Sequence, residues 1–181
     1  MTGAVRIWTI GHSTHPIEDF ITLLKNQGIE MVADVRSVPK SRHVPQFNRE
    51  ELARNLGSAG IDYLHMEALG GWRKPVPGSQ NIGWRSPAFR GYADYMQTDE
   101  FVGAAAELMK LAEEKPTVVM CAEGLPFRCH RSIIADYLTA KEVEVMHIYP
   151  DGKVKPHTLT SFAVIKDGSV VYPSEGSEVE G

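Results

Sequence analysis

Several things are scarce in this chain, and each scarcity removes a class of protein. Only two cysteines occur, Cys121 and Cys129. That is too few for the disulfide framework of a small secreted domain, so both thiols are expected free in a reducing cytoplasm. Unbroken apolar runs reach only about five residues, far short of a membrane-spanning helix, so no membrane partner is expected. No charged stretch followed by an apolar one precedes Val5, so no signal-peptide pattern is expected there. His12, His15, Cys121, Cys129 and His130 offer metal-ligand types. No pair has zinc-finger spacing, and Cys-x7-Cys-His is not a structural metal motif. No metal ligand is assigned, and the sequence names neither a cofactor nor an oligomeric state. A strong charge of one sign is also missing. The net charge of −4 argues against a whole-surface binder of nucleic acid or anionic membrane.

What is present fits one α/β domain. A chain of 181 residues with a hydrophobic fraction of 43% can build a full core. Short apolar runs predict strands over Val5–Ile10, Met31–Val35, Asp62–Met66, Thr117–Met120 and Val143–Ile148. Helical spacing fills the gaps: from Pro16 to Lys25 with Thr14 or His15 as cap, over 49–58 with Asn48 as cap, over 89–96, and from Thr98 or Asp99 to Glu114. Alternating strands and helices imply a mainly parallel, Rossmann-like sheet in a three-layer α/β/α domain. Lys166-Asp167-Gly168-Ser169 predicts the turn of a small C-terminal β-hairpin. The domain is expected over 1–173, with 67–87 as a long insertion loop or lid and 174–181 as a flexible acidic tail. Charge is uneven: residues 36–90 carry nine basic against four acidic side chains, a net of +5 on an acidic body. That suits a small anionic ligand or a strand end better than long duplex DNA.

The chemistry is densest between Thr117 and Arg131. An apolar strand runs through Cys121, Glu123, Gly124, Pro126 and Arg128 into a helix expected over Cys129–Thr139. In an open parallel sheet, ligands bind beyond the carboxyl ends of the strands. His12 and Ser13, Arg36 and Ser37, His65 and Glu67, and Cys121 and Glu123 all fall there. Cys121 is either a small core residue or a thiol activated by the amides of the following helix. The arrangement loosely resembles phosphatase and rhodanese loops, with a longer spacing, an added Pro126 and a Glu123 that repels phosphate. Arg128 and Arg131, with His130 between them, are expected on one helix face, where two guanidinium forks hold a phosphate or carboxylate. The plainer reading pairs Arg131 with Asp136 or Glu123. An arginine early in a helix opposes the macrodipole, so an acidic partner or a bound anion should compensate. His12 reads as a general acid/base, a phosphate donor or a satisfied structural histidine. Asp34 inside an apolar strand needs a partner such as Arg36, Arg128 or a backbone turn. Arg36, Arg42 and His43 add positive charge from one loop. Trp72, Trp84, Phe89 and Tyr92 interleave with Arg73, Arg85 and Arg90, a pattern that stacks bases and holds phosphates, or one that packs a loop on the domain.

Taken in order, Thr9-Ile10-Gly11-His12-Ser13, Asp34-Val35-Arg36-Ser37-x-Pro39-x-Ser41-Arg42, Phe47-Asn48, Leu69-Gly70-Gly71, Phe89-Arg90-Gly91-Tyr92-Ala93-x-Tyr95-Met96 and Met120-Cys121-Ala122-Glu123 with Cys129-His130-Arg131 resemble the bacterial and archaeal family called domain of unknown function 488. The resemblance implies a single α/β domain and no assigned reaction. The expected function therefore rests on the residues. It is an enzyme, of phosphoester hydrolase or transferase type, taking a phosphorylated, nucleotide or nucleic-acid-end substrate. His12, Cys121 and Glu123 are its catalytic candidates. Ser13, Arg36, Ser37, Arg42, Arg90, Tyr92, Arg128, His130 and Arg131 are its anion-binding candidates. A non-catalytic single-stranded nucleic-acid or nucleotide-binding module, and a thiol or metal sensor, are the alternatives.

Overall fold

The computed structural model describes residues 5–174. Five parallel strands, β1 (Arg6–Gly11), β2 (Met31–Asp34), β3 (Asp62–His65), β4 (Thr117–Cys121) and β5 (Glu144–Ile148), form one sheet with an antiparallel edge strand, β6 (Val154–Pro156). Their order is β3-β2-β4-β1-β5-β6. Helices α1 (Ile17–Asn26) and α2 (Arg49–Ser58) cover one face. Helices α3 (Pro87–Tyr95), α4 (Asp99–Glu114) and α5 (Arg131–Ala140) cover the other. The predicted hairpin is present as β7 (Val164–Lys166) and β8 (Ser169–Val171). Asp167 and Gly168 both hold positive φ at its tip, as a two-residue type I′ turn requires.

Strand alternation explains the three layers. Ile10, Val32, Val118, Met120 and Ile148 point to α1 and α2, where Phe20, Leu24, Leu52 and Leu56 meet them. Ile7, Ala33, Val119, Cys121 and Val145 point the other way, against Ala93, Phe101, Leu108, Ile133 and Leu138. β2 and β4 are buried at every position, which is why they read as unbroken apolar runs.

The connectivity places the site. The chain runs outward from β1 through β2 to β3, then returns to insert β4 between β1 and β2, and finally adds β5 on the far side of β1. That reversal opens a crevice beyond the carboxyl ends of β1, β2 and β4.

Several local expectations change. The short strand β6 was not expected, because Pro156 and a three-residue length hide it. Pro16 is itself the cap of α1, and no side chain caps that helix. Asn48 stands at the cap of α2, but its Oδ1 accepts from the Ser41 amide instead of the helix. Thr98 caps α4 by accepting from the Phe101 amide. A 3-10 turn over Pro126–Arg128 and an extended Cys129 delay α5 to Arg131.

The segment 67–87 is fastened rather than loose. Asp94 on α3 accepts from the Val76 amide, the Ser79 hydroxyl and the Asn81 side chain. Asn81 in turn accepts from the Tyr172 amide. Trp84 packs on Phe89, Phe162 and Tyr172, while Trp72 stays exposed. The acidic tail expected over 174–181 lies outside the described residues beyond Ser174.

Candidate functional site

Two adjoining cavities occupy the crevice. The first, about 320 Å³, is lined by Val38, Trp72, Phe89, Cys121, Arg128, Cys129 and His130, among others. The second, about 330 Å³, is lined by His12, Ser13, Lys40, Ser41 and His43 among others. Arg36, Val38, Ala122 and Glu123 line both, so the two cavities meet along one wall.

Arg36 is built in from all sides. Asp34, fully buried at the end of β2, accepts from its Nε at 2.9 Å and its Nη2 at 2.7 Å. Asp34 also accepts from the Arg36 amide at 3.1 Å and from the Tyr63 hydroxyl at 2.5 Å. The Arg36 Nη2 donates to the Phe47 carbonyl, and its own carbonyl accepts from His65 Nε2 at 2.7 Å. Asp34 was expected to need a partner, and Arg36 supplies it as a bidentate fork. Only Nη1 is left, and it donates to His12 Nε2 at 3.3 Å.

His12 is locked by the same network. Its Nδ1–H donates to the Ser13 carbonyl at 2.8 Å, and its ring stacks on Phe47 at 4.3 Å. Burial and the neighbouring Arg36 charge hold it down at about 4, against a partial lift from the Ser13 hydrogen bond. The imidazole is therefore neutral near pH 7, with both nitrogens engaged. Ser13 follows in the left-handed region at φ 49°, a strained conformation for a serine, which turns its carbonyl back onto His12.

The other wall centres on Arg131, the first residue of α5 and fully buried. Its Nη1 donates to Cys121 Sγ at 3.1 Å and to the Glu123 carbonyl at 2.8 Å, and its Nη2 donates to the Gly124 carbonyl at 3.2 Å. Its Nε meets no acceptor among the described residues. Gly11 makes this possible. A Cβ there would overlap the Glu123 carbonyl and sit 2.8 Å from Arg131 Nη1. Burial works to raise the Cys121 thiol, but the Cys129 thiol and Arg131 outweigh it and bring it to about 7. Cys129 moves the opposite way, far up, through the neighbouring Cys121 thiol and its own burial.

His130 completes that wall. Its Nε2–H is shared between the Val35 and Leu69 carbonyls at 3.2 Å each, which leaves Nδ1 to accept from the Cys129 thiol at 3.3 Å. Its ring packs on Tyr92 at 4.8 Å and against Gly71, where a Cβ would come within 2.7 Å of Nδ1. Burial holds His130 at about 4.

The crevice thus gathers His12, Ser13, Arg36, Ser37, Cys121, Glu123, Arg128 and His130. It does not gather four other expected residues. Arg131 faces inward, and the break at Cys129 keeps it off any shared helix face with the exposed Arg128. Tyr92 is wholly buried and donates to the Leu69 carbonyl. Arg90 donates to the Trp84 carbonyl, away from both cavities. Arg42 is exposed and lines neither, although Ser41 and His43 beside it do. Trp72 and Cys129, expected at a site only under the nucleic-acid and sensor alternatives, also line the crevice, as does Lys40, which was in no candidate set. Among the described residues, no group of three or more His, Cys, Asp and Glu side chains is gathered to hold a metal ion. None of their helices is long and apolar enough to cross a membrane.

Fold and site together define a three-layer, mainly parallel α/β protein with a thiol-bearing crevice at the carboxyl ends of its central strands. The chain belongs to the family described as domain of unknown function DUF488, matched over residues 16–138. That span takes in Arg36, Cys121, Cys129 and Arg131. It leaves out β1 with His12 and Ser13, and everything from β5 onward. Comparison with curated proteins and with solved structures finds no match.

Proposed function

We propose that the protein is an enzyme binding a phosphorylated or nucleotide-like ligand, a free nucleotide or a nucleic-acid end, across the two cavities. The observation that carries this reading is their pairing along Arg36: aromatic and apolar walls on one side, His12, Ser13, Lys40, Ser41 and His43 on the other. A planar group stacks in the first, between Trp72 and Phe89. An anion sits in the second, held by Lys40 and the Ser13 and Ser41 hydroxyls, with Arg128 at the opposite rim. Glu123 lines both cavities and is the acid/base candidate, and Cys121 is the nucleophile candidate. His12 orients Arg36 rather than moving a proton, because both its nitrogens are occupied.

Calorimetric titration with a nucleoside 5′-monophosphate tests the reading. Arg128→Ala and Lys40→Ala should each weaken binding about tenfold, roughly the worth of one charge-assisted hydrogen bond. Binding unchanged in both variants contradicts it. The exposed Trp72, with Arg73 and Arg128 nearby, supports a second reading, a single-stranded nucleic-acid module. That reading expects steep salt dependence and loss of binding on Trp72→Ala, with no turnover of any phosphoester.

A further inference from the structure

We propose that Cys121 and Cys129 form a dithiol–disulfide couple in the wall of the crevice, with Cys121 the attacking thiolate, Cys129 the resolving thiol and an anionic organic disulfide the oxidant. This goes beyond the ligand reading above and does not depend on it, since exchange requires no phosphate.

Arg131 carries most of the case. A buried guanidinium without a counter-ion is costly. Among the described residues, Arg131 meets no carboxylate: its partners are two backbone carbonyls and Cys121 Sγ. Asp136, on the same helix, is taken by His157, Tyr172 and the Thr160 amide. Cys121 is thus the group within reach of Arg131 that can carry a negative charge. Arg131 also stands at the helix start, where a cation opposes the macrodipole and an anion beside it is favoured. A thiolate at Cys121 satisfies both demands.

Cys129 has what a resolving thiol needs. It lines the same cavity as Cys121. Its thiol is oriented by His130 Nδ1, on a ring fixed by two carbonyls. Two residues so placed exchange with an external disulfide in two steps. The Cys121 thiolate attacks one sulfur of R–S–S–R, the new S–S bond forms, and one R–S⁻ leaves and takes a proton from solvent. Cys129 then attacks the Cys121 sulfur as its proton passes to the departing sulfur. The Cys121–Cys129 bond forms, and the second R–S⁻ leaves as the thiol that carries the Cys129 proton. Two protein thiols lose two electrons, and one external disulfide becomes two thiols. The exposed Arg128 lines the cavity and favours an oxidant bearing carboxylates.

Oxidised glutathione is the probe, applied to the full chain near neutral pH and read by intact mass and peptide mapping. The wild-type protein should lose both free thiols to one Cys121–Cys129 disulfide, reversed by dithiothreitol. Cys129→Ser should stop at a glutathione adduct on Cys121. Cys121→Ser should modify Cys129 slower by about tenfold or more, since the thiolate is the reacting form. Circular dichroism on each variant beforehand establishes that it is folded. Cystamine, a cationic disulfide, should react about tenfold slower than oxidised glutathione, a preference that Arg128→Ala removes, because that arginine favours carboxylates. The proposal is overturned if the folded wild-type chain keeps both thiols free, or if Cys129 in Cys121→Ser reacts as fast as Cys121 in Cys129→Ser. Equal rates for glutathione and cystamine overturn the anionic oxidant. None of these outcomes bears on nucleotide binding, which is measured separately.

Discussion

Two buried arginines stand on neighbouring walls of one crevice and are neutralised in different ways. Arg36 has a carboxylate, Asp34, in a bidentate fork that also takes in Tyr63. Arg131 has two carbonyls and a thiol. The Asp34 carboxylate holds Arg36 by two hydrogen bonds, so the Arg36 wall is a fixed structure. A thiol is charged only where its surroundings lower its pKa, and Arg131 is one of the groups that do so for Cys121. One arginine builds the site, and the other tunes it.

The largest expected effect breaks the first wall. Asp34→Ala strands Arg36 in the interior and should cost about 3–5 kcal/mol, the range for one partner of a buried ion pair, measured by denaturant unfolding. A loss under about 1 kcal/mol would mean the pair is worth no more than an exposed one.

Breaking the second wall should cost less and depend on pH in a specific direction. The Cys121 thiol is depressed in the folded chain relative to its ordinary value. Its contribution is therefore complete above the unfolded value, and it is lost as pH falls through about 7. Cys121→Ser should thus destabilise by about 2 kcal/mol more above pH 9 than near pH 6, since each tenfold change in a proton-binding constant is worth about 1.4 kcal/mol. A cost independent of pH would reduce Cys121 to a packed apolar side chain.

His12 links to the first wall and sharpens the contrast. It is held at about 4 in the fold, below its unfolded value of about 6.5. A depressed histidine contributes fully above its unfolded value, and that contribution is lost as pH falls toward 4. Between pH 7 and 5, His12→Gln should remove about 2 kcal/mol of the acid sensitivity seen by thermal unfolding. His130 and His147 are depressed in the same direction by burial, so the remaining sensitivity should be theirs. Smallest of all, Tyr63→Phe deletes one hydrogen bond to Asp34 and should cost about 1–2 kcal/mol, with the crevice otherwise intact.

Much of the fold was legible because it rests on local signals. Short apolar runs at Met31–Ala33 and Val118–Cys121 mark strands buried on both faces. Asp167-Gly168 carries its own turn geometry. The edge of the sheet that bears the crevice followed from the alternation of strand and helix. Three things did not follow. Side-chain direction at the start of α5 depends on an extended Cys129 that no propensity marks, so Arg131 was expected to face outward with Arg128. Tyr92 looks like a stacking residue in the sequence, yet it supports His130 from the core. The grip of Asp94 on the 67–87 segment joins residues far apart in the loop, so only the folded chain reveals it.

The most direct measurement is the pH titration of the two thiols in the folded protein, followed by ultraviolet thiolate absorbance in wild-type, Cys121→Ser and Cys129→Ser chains. One thiol should ionise near 7, assigned to Cys121 by its absence in Cys121→Ser, while Cys129 stays protonated well above that. Two thiols ionising together near the unperturbed value of about 8.5 would contradict the claim that Arg131 holds Cys121 as its counter-ion.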